Sequence, residues 1–142
     1  MRVYFDASII IAALLSPIGG SSQLFKYIKG GVITGITSQT VIEEVVEEGK
    51  PEKLEKTKEE IEEFIRQSRL VVREHIAVEE TAPYQGMVDA EDAHLVAGAN
   101  LTKCVYLVTL DKKHLLKTDI QEKFLPLRIV SPKELLEKIV RK

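Results

Sequence analysis

The sequence predicts an α/β fold: a single domain over residues 1–142, three layers deep (α/β/α), with a parallel sheet of about five strands between the helices. Three observations carry this prediction. The run Val105-Tyr106-Leu107-Val108-Thr109 is apolar at nearly every position, the pattern of a strand covered on both faces, as parallel strands are. Short strand-like runs alternate along the chain with stretches long enough for helices, and such alternation builds βαβ units. Two of the strands run into an aspartate: Val3-Tyr4-Phe5 into Asp6, and Val105 to Leu110 into Asp111. In an open parallel sheet, ligands bind at the carboxyl ends of the strands, so both acids are directed toward one functional edge.

The elements follow in order. Residues 2–6 make the first strand, and an apolar helix runs from about Ser8 to Leu15, stopped by Ser16-Pro17 and Gly19-Gly20. Ser21-Ser22 is expected to cap a short helix, Gln23 to Lys29, which Gly30-Gly31 ends. Val32 to Thr37 is a second strand. Ser38 caps the next helix, which continues through Glu48 until Gly49-Lys50-Pro51 breaks it. A Lys/Glu-rich helix is expected from Glu52 to about Ser68, with Leu54, Ile61, Phe64 and Ile65 as a narrow apolar stripe. Leu70-Val71-Val72 is a third strand, and residues 75–88, with Pro83 and Gly86, form a loop with room for a helical turn. Asp89 to Thr102 reads as a helix, Val105 to Thr109 as a strand, and Lys112 to about Lys123 as broken helix. Leu127 to Val130 is the last strand, and Ser131-Pro132 starts the closing helix with proline at its first position.

Composition narrows the function classes. A chain of 142 residues can bury a full core, and 44% hydrophobic content suits that. The formal charge of −2 shows no basic excess, so any contact with nucleic acid needs a local patch. No apolar run approaches about 18 residues, so no membrane span is expected. The first residues show no signal-peptide pattern, and the single Cys104 excludes an internal disulfide and a cysteine-rich zinc site; both point to a cytoplasmic location.

The aspartates are unusual in number and place. Of 22 acidic residues five are Asp, and four of these (Asp6, Asp89, Asp92, Asp111) stand at strand ends or a helix start. Within the helix from Asp89, Asp92 shares a face with Leu95, Val96 and Ala99 by helical spacing. A carboxylate on an apolar stripe is costly unless its charge is compensated. Asp89 itself sits where an N-cap belongs. In the helix after Ser38, Glu43 and Glu44 flank the apolar face of Val41, Ile42, Val45 and Val46 equally, and periodicity does not choose between them.

Asp6, Asp92, Asp111 and one of these glutamates would meet at one sheet edge. Their mutual repulsion would raise their pKa values, and a divalent cation resolves it. An all-oxygen donor set suits Mg²⁺ or Mn²⁺, and such an ion supports hydrolysis of a phosphate ester or phosphodiester. The chain has no Gly-Lys-Ser/Thr phosphate loop, no Gly-x-Gly-x-x-Gly and no Gly-x-Ser-x-Gly elbow. His75, His94 and His114 are scattered without ligand spacing and read as surface or partly buried side chains.

The order and spacing of these pieces resemble the PIN domain, a family of metal-dependent nucleases. The resemblance rests on Val3-Tyr4-Phe5-Asp6-Ala7-Ser8, Thr37-Ser38 with Val41-Ile42-Glu43-Glu44-Val45, Asp89 to Ala99, Leu107-Val108-Thr109-Leu110-Asp111, and Ile129 to Leu136. It implies catalytic and metal-binding roles for Asp6, Glu44, Asp92 and Asp111, selecting Glu44 because it falls six residues after Ser38. It gives Ser8 and Thr109 supporting roles and implies Mg²⁺ (or Mn²⁺) as cofactor. Some members carry a further acid after the fourth, where this chain has Lys112 and Lys113.

By this resemblance the activity is endonucleolytic cleavage of single-stranded RNA. Many small members are toxins of VapC-type toxin–antitoxin pairs, so an antitoxin protein is an expected partner. Lys112, Lys113 and Lys117 form a candidate RNA-contacting patch. A homodimer is expected, with the apolar helix 8–15 or the stripe of helix 52–68 as its face.

Two rival classes compete with this resemblance. A haloacid-dehalogenase-type phosphatase needs a second Asp two residues after the first, and Ser8 stands there. A non-catalytic PIN-like RNA-binding or assembly module is the alternative reading.

Overall fold

A computed structural model of the protein describes residues 1–48 and 54–141. The expected break at Gly49-Lys50-Pro51, and the residues Glu52 and Lys53 that were to open the next helix, lie outside the described residues. The elements are β1 (Arg2–Phe5), α1 (Ala7–Leu15), α2 (Gly20–Lys29), β2 (Thr34–Ser38), α3 (Gln39–Glu48), α4 (Lys58–Gln67) and β3 (Val71–Arg73). There follow α5 (Val78–Thr81), α6 (Ala93–Leu101), β4 (Tyr106–Val108), α7 (Thr118–Lys123), β5 (Arg128–Val130) and α8 (Pro132–Val140), with 3₁₀ turns at Ala82–Tyr84 and Ala90–Asp92.

All strand pairings are parallel, in the order β3-β2-β1-β4-β5. The chain therefore builds outward from β1 through β2 to β3, then crosses back to place β4 on the other side of β1. Right-handed crossovers in opposite directions put helices on opposite faces of the sheet, giving the three-layer α/β/α architecture. On one face α1 packs on α2 and α3, and α8 on α2; on the other α6 lies across β1, β2 and β4.

The alternation of β1 reports the two layers directly. Phe5 points to α2, where its ring stands 5.3 Å from that of Phe25, and Phe25 in turn meets Phe64 of α4 at 5.2 Å. Tyr4 points the opposite way, against Gly98 of α6. A Cβ added at Gly98 would lie 2.3 Å from the Tyr4 hydroxyl oxygen, so only glycine lets α6 approach this closely.

Several element boundaries differ from the sequence reading, each through a specific hydrogen bond. Ser21 and Ser22 do not cap α2, which begins at Gly20; the Ser22 hydroxyl instead donates to the carbonyls of Ala13 and Ser16 at the end of α1. Within the described part of the helix expected over 52–68, α4 opens at Lys58, where Thr57 and Glu60 form a reciprocal capping box (3.1 and 3.2 Å). Ser38 accepts the Val41 N–H at 3.3 Å, as a cap for α3 should. The helix expected from Asp89 is a 3₁₀ turn followed by α6, and Asp89 caps the turn by accepting the Glu91 N–H at 3.1 Å.

The apolar stripe expected over 52–68 is spent inside the chain: Leu54, ahead of α4, and Ile61 and Ile65 on it are buried in the core, and Phe64 packs against it. Of the two faces considered for a dimer, this one is therefore internal packing. On α1, Ala7, Ile9, Ile10 and Ala13 are buried, and Leu15 is exposed at its end. No single helix among the described residues is long and apolar enough to cross a membrane.

Candidate active site

The site is assembled by strand register. β1 and β4 are neighbours with Phe5 opposite Val108, so the next residues, Asp6 and Thr109, emerge side by side from the sheet. Thr109 Oγ1 donates to Asp6 Oδ2 at 2.6 Å, and Ser8 Oγ donates to the same oxygen at 3.1 Å. Each hydroxyl is tied in turn to the β4 exit: Leu110 N–H donates to Ser8 Oγ and Asp111 N–H to Thr109 Oγ1, both at 3.1 Å. Ser8 and Thr109 thus link Asp6 to the Asp111 loop, and Thr37 Oγ1 braces the end of β1 by donating to the Phe5 carbonyl at 3.0 Å.

This edge is also where the strand order reverses, since β1 leads to β2 on one side and meets β4 on the other. A crevice opens there in α/β folds because the crossovers diverge to opposite faces. Here it is a cleft of about 510 Å³ lined by Asp6, Ser8, Glu44, Asp92, Asp111 and His114, among others. All four acids named from the sequence line this one cleft, as do Asp89 and Glu91 at its rim. Lys112, Lys113 and Lys117 are exposed on the turn after Asp111.

The electrostatics are those of crowded carboxylates. Asp6 is buried, which pushes its pKa up; the hydrogen bonds from Thr109 and Ser8 oppose the shift, and the charge of Glu44 adds to it. Asp92 is pushed up to about 7, first by burial and then by the charges of Asp111, Asp6 and Asp89, with His114 acting the other way. Burial first, and like charge second, disfavour the ionised carboxylate, and positive charge nearby would favour it. Oxygen donors on opposing elements therefore suit a divalent cation, with Asp6, Glu44, Asp92 and Asp111 as the residues available to hold it.

The structure differs from the sequence reading at three residues. Asp92 does not sit within a helical face: it closes the 3₁₀ turn and stands at the N-cap position of α6, which turns its carboxylate to the cleft. His94 is buried, and its Nε2 touches Glu44 Oε1 without hydrogen-bond geometry. His114 lies with Asp92 and Asp111, their donor atoms within 4.8 Å of one another. The signal for His114 was its spacing, three residues after a strand-end Asp, where a turn returns the chain to the acid. Glu43 and Glu44 are resolved as well: Glu44 is half-buried in the cleft, whereas Glu43 is exposed and paired with His75.

A PIN domain model matches residues 2–113, from β1 through β4 to the turn after Asp111. The chain belongs to the PIN domain family. PIN domains are typically nucleases. Two solved structures resemble this PIN domain in fold. VapBC2 from Rickettsia felis, in a structure bound to a DNA fragment from its promoter, aligns with a TM-score of 0.60 and 17% identity, covering 92% of this chain and 98% of that one. PAE2754 from Pyrobaculum aerophilum aligns with a TM-score of 0.64 and 17% identity, covering 100% and 91%. No curated protein matches the chain.

Proposed function

We propose that this PIN domain is a Mg²⁺- or Mn²⁺-dependent endoribonuclease of the cytoplasm that cleaves single-stranded RNA. The observation that carries the reading is the convergence of Asp6, Glu44, Asp92 and Asp111 on one cleft, with Asp92 pushed up to about 7 by burial and neighbouring acids. Asp6, Asp92 and Asp111, with Glu44 from α3, hold the cation. Bound there, it would supply positive charge beside a scissile phosphate and lower the pKa of an attacking water. The protein's own part is positional. Ser8 and Thr109 fix the Asp6 carboxylate, and the Asp111 loop is tied to both hydroxyls. Lys112 and Lys113, exposed beside the cleft, meet the phosphate backbone. The fold shared with VapBC2 supports a toxin role with an antitoxin protein as regulatory partner.

The test is cleavage of single-stranded RNA in Mg²⁺ or Mn²⁺ by the wild type and by Asp6→Asn. The wild type should cleave and the variant should lose about a hundredfold or more, the size of a lost charge contact worth several kcal/mol. Equal cleavage by both proteins removes Asp6 from the mechanism. Metal binding without cleavage by either favours the binding-module reading instead.

A further inference from the structure

The turn after Asp111 brings a nitrogen donor to the acids. Asp111 Oδ1 accepts the backbone N–H groups of Lys113 (3.0 Å) and His114 (2.9 Å), which folds residues 111–114 back on themselves. Asp111 Oδ2 takes no backbone donor among the described residues, and His114 Nδ1 stands 3.4 Å from it. The backbone that caps itself on one carboxylate oxygen therefore presents the other oxygen and the imidazole together.

Asp92 reaches the same point from the start of α6, so that one donor atom each from Asp92, Asp111 and His114 falls within 4.8 Å of the others. Ligands about 2.1 Å from a shared ion lie roughly 3–4 Å apart. Asp111 Oδ2 and His114 Nδ1, 3.4 Å apart, already meet that spacing, and the His114 ring is half exposed (45%). Imidazole also solves a problem the acids create. It completes a coordination sphere without adding negative charge to a cleft that Asp6, Glu44, Asp89, Asp92 and Asp111 already line.

We propose that His114 is a direct ligand of the divalent cation, beside Asp92 and Asp111, and that its nitrogen makes the site prefer Mn²⁺ to Mg²⁺. This rests on the reading above that the acids hold a divalent cation, and it replaces the all-oxygen site expected from the sequence. The preference follows from ligand type: carboxylate oxygen serves Mg²⁺ well, whereas imidazole favours first-row transition metals over the strongly hydrated Mg²⁺.

The experiment is Mn²⁺ titration of the full chain followed by electron paramagnetic resonance, with pulsed detection of nitrogen coupling, on the wild type and His114→Gln. Mg²⁺ affinity is measured by competition. The wild type should bind Mn²⁺ more tightly than Mg²⁺ and show the modulation of a directly bound imidazole nitrogen. His114→Gln should lose that modulation and bind Mn²⁺ at least about tenfold more weakly, the loss that even indirect partners of a ligand produce. Its Mg²⁺ affinity should change far less, which also shows that the cleft is intact. Bound Mn²⁺ without nitrogen coupling in the wild type, or coupling that survives in the variant, overturns the assignment of His114 while leaving the acidic site standing. Failure of the wild type to bind Mn²⁺ at all overturns the metal site and this inference with it.

Discussion

Tyr4 and Asp6 stand two residues apart and leave the sheet on the same side, yet they belong to opposite regions. Tyr4 is fully buried, its ring pressed against Gly98 in a core with no space to spare. Asp6 is nearly as buried, but it faces a cleft in which burial and the charge of Glu44 work against its own charge. Below the strand ends, close packing stabilises the molecule; above them, the same rigid sheet holds like charges together at a cost to stability. The difference shows where binding capacity is kept: repulsion that folding tolerates at the sheet edge is available to a cation that relieves it.

The two regions should separate most sharply under substitution on each side. Gly98→Ala places a methyl group inside the contact distance of Tyr4, and a core so overpacked should lose about 1–3 kcal/mol, read by denaturant unfolding. The folded fraction should keep its Mn²⁺ affinity. Asp6→Asn should do the reverse, losing cleavage while its unfolding midpoint holds or rises, since an amide removes a buried charge. If Asp6→Asn unfolds as easily as Gly98→Ala, the two regions are not distinct.

A smaller effect appears with pH. The pKa of Asp92 in the folded protein, about 7, lies above its ordinary 3.8, so the native state binds this proton more tightly than the unfolded chain. Its contribution to stability is complete below about pH 4 and is lost as the pH rises to about 7. Asp6 shifts in the same direction through burial. The metal-free protein should therefore lose thermal stability across that window more steeply than Asp92→Asn does. Saturating Mn²⁺ should flatten the wild-type profile, and matching slopes for wild type and variant would remove Asp92 from the crowded group.

The smallest change is expected at the rim. Lys112→Ala and Lys113→Ala together should weaken RNA binding and reduce the log–log salt dependence by roughly 0.7 per lysine, the value for single-stranded phosphate contacts. Stability should not move, because both side chains are exposed. An unchanged salt slope would assign these lysines to solvent.

The residues differ in how far sequence alone could place them. Asp6 and Asp111 were legible because each follows a buried strand, and a strand end has only one place to go in a parallel sheet. Asp92 was legible as an acid on an apolar segment, although the reason was mistaken: a 3₁₀ turn rather than helical phase aims it at the cleft. Glu44 could not be separated from Glu43 by periodicity, since α3 gives both the same angle to its apolar face. Packing of α3 on α1 decides between them.

What the sequence by itself determined is the alternation of buried strands and helices, hence the parallel sheet and the edge where its aspartates emerge. These are local properties: hydrophobic pattern, caps and strand ends repeat the same physics wherever they occur. What only the tertiary structure decided is who meets whom at that edge. The pairing of Phe5 with Val108 joins Asp6 to Thr109 across 103 residues of sequence, and the turn after Asp111 delivers His114 to Asp92. Register and turn geometry set these distances, and they are properties of the folded pairs rather than of either segment alone.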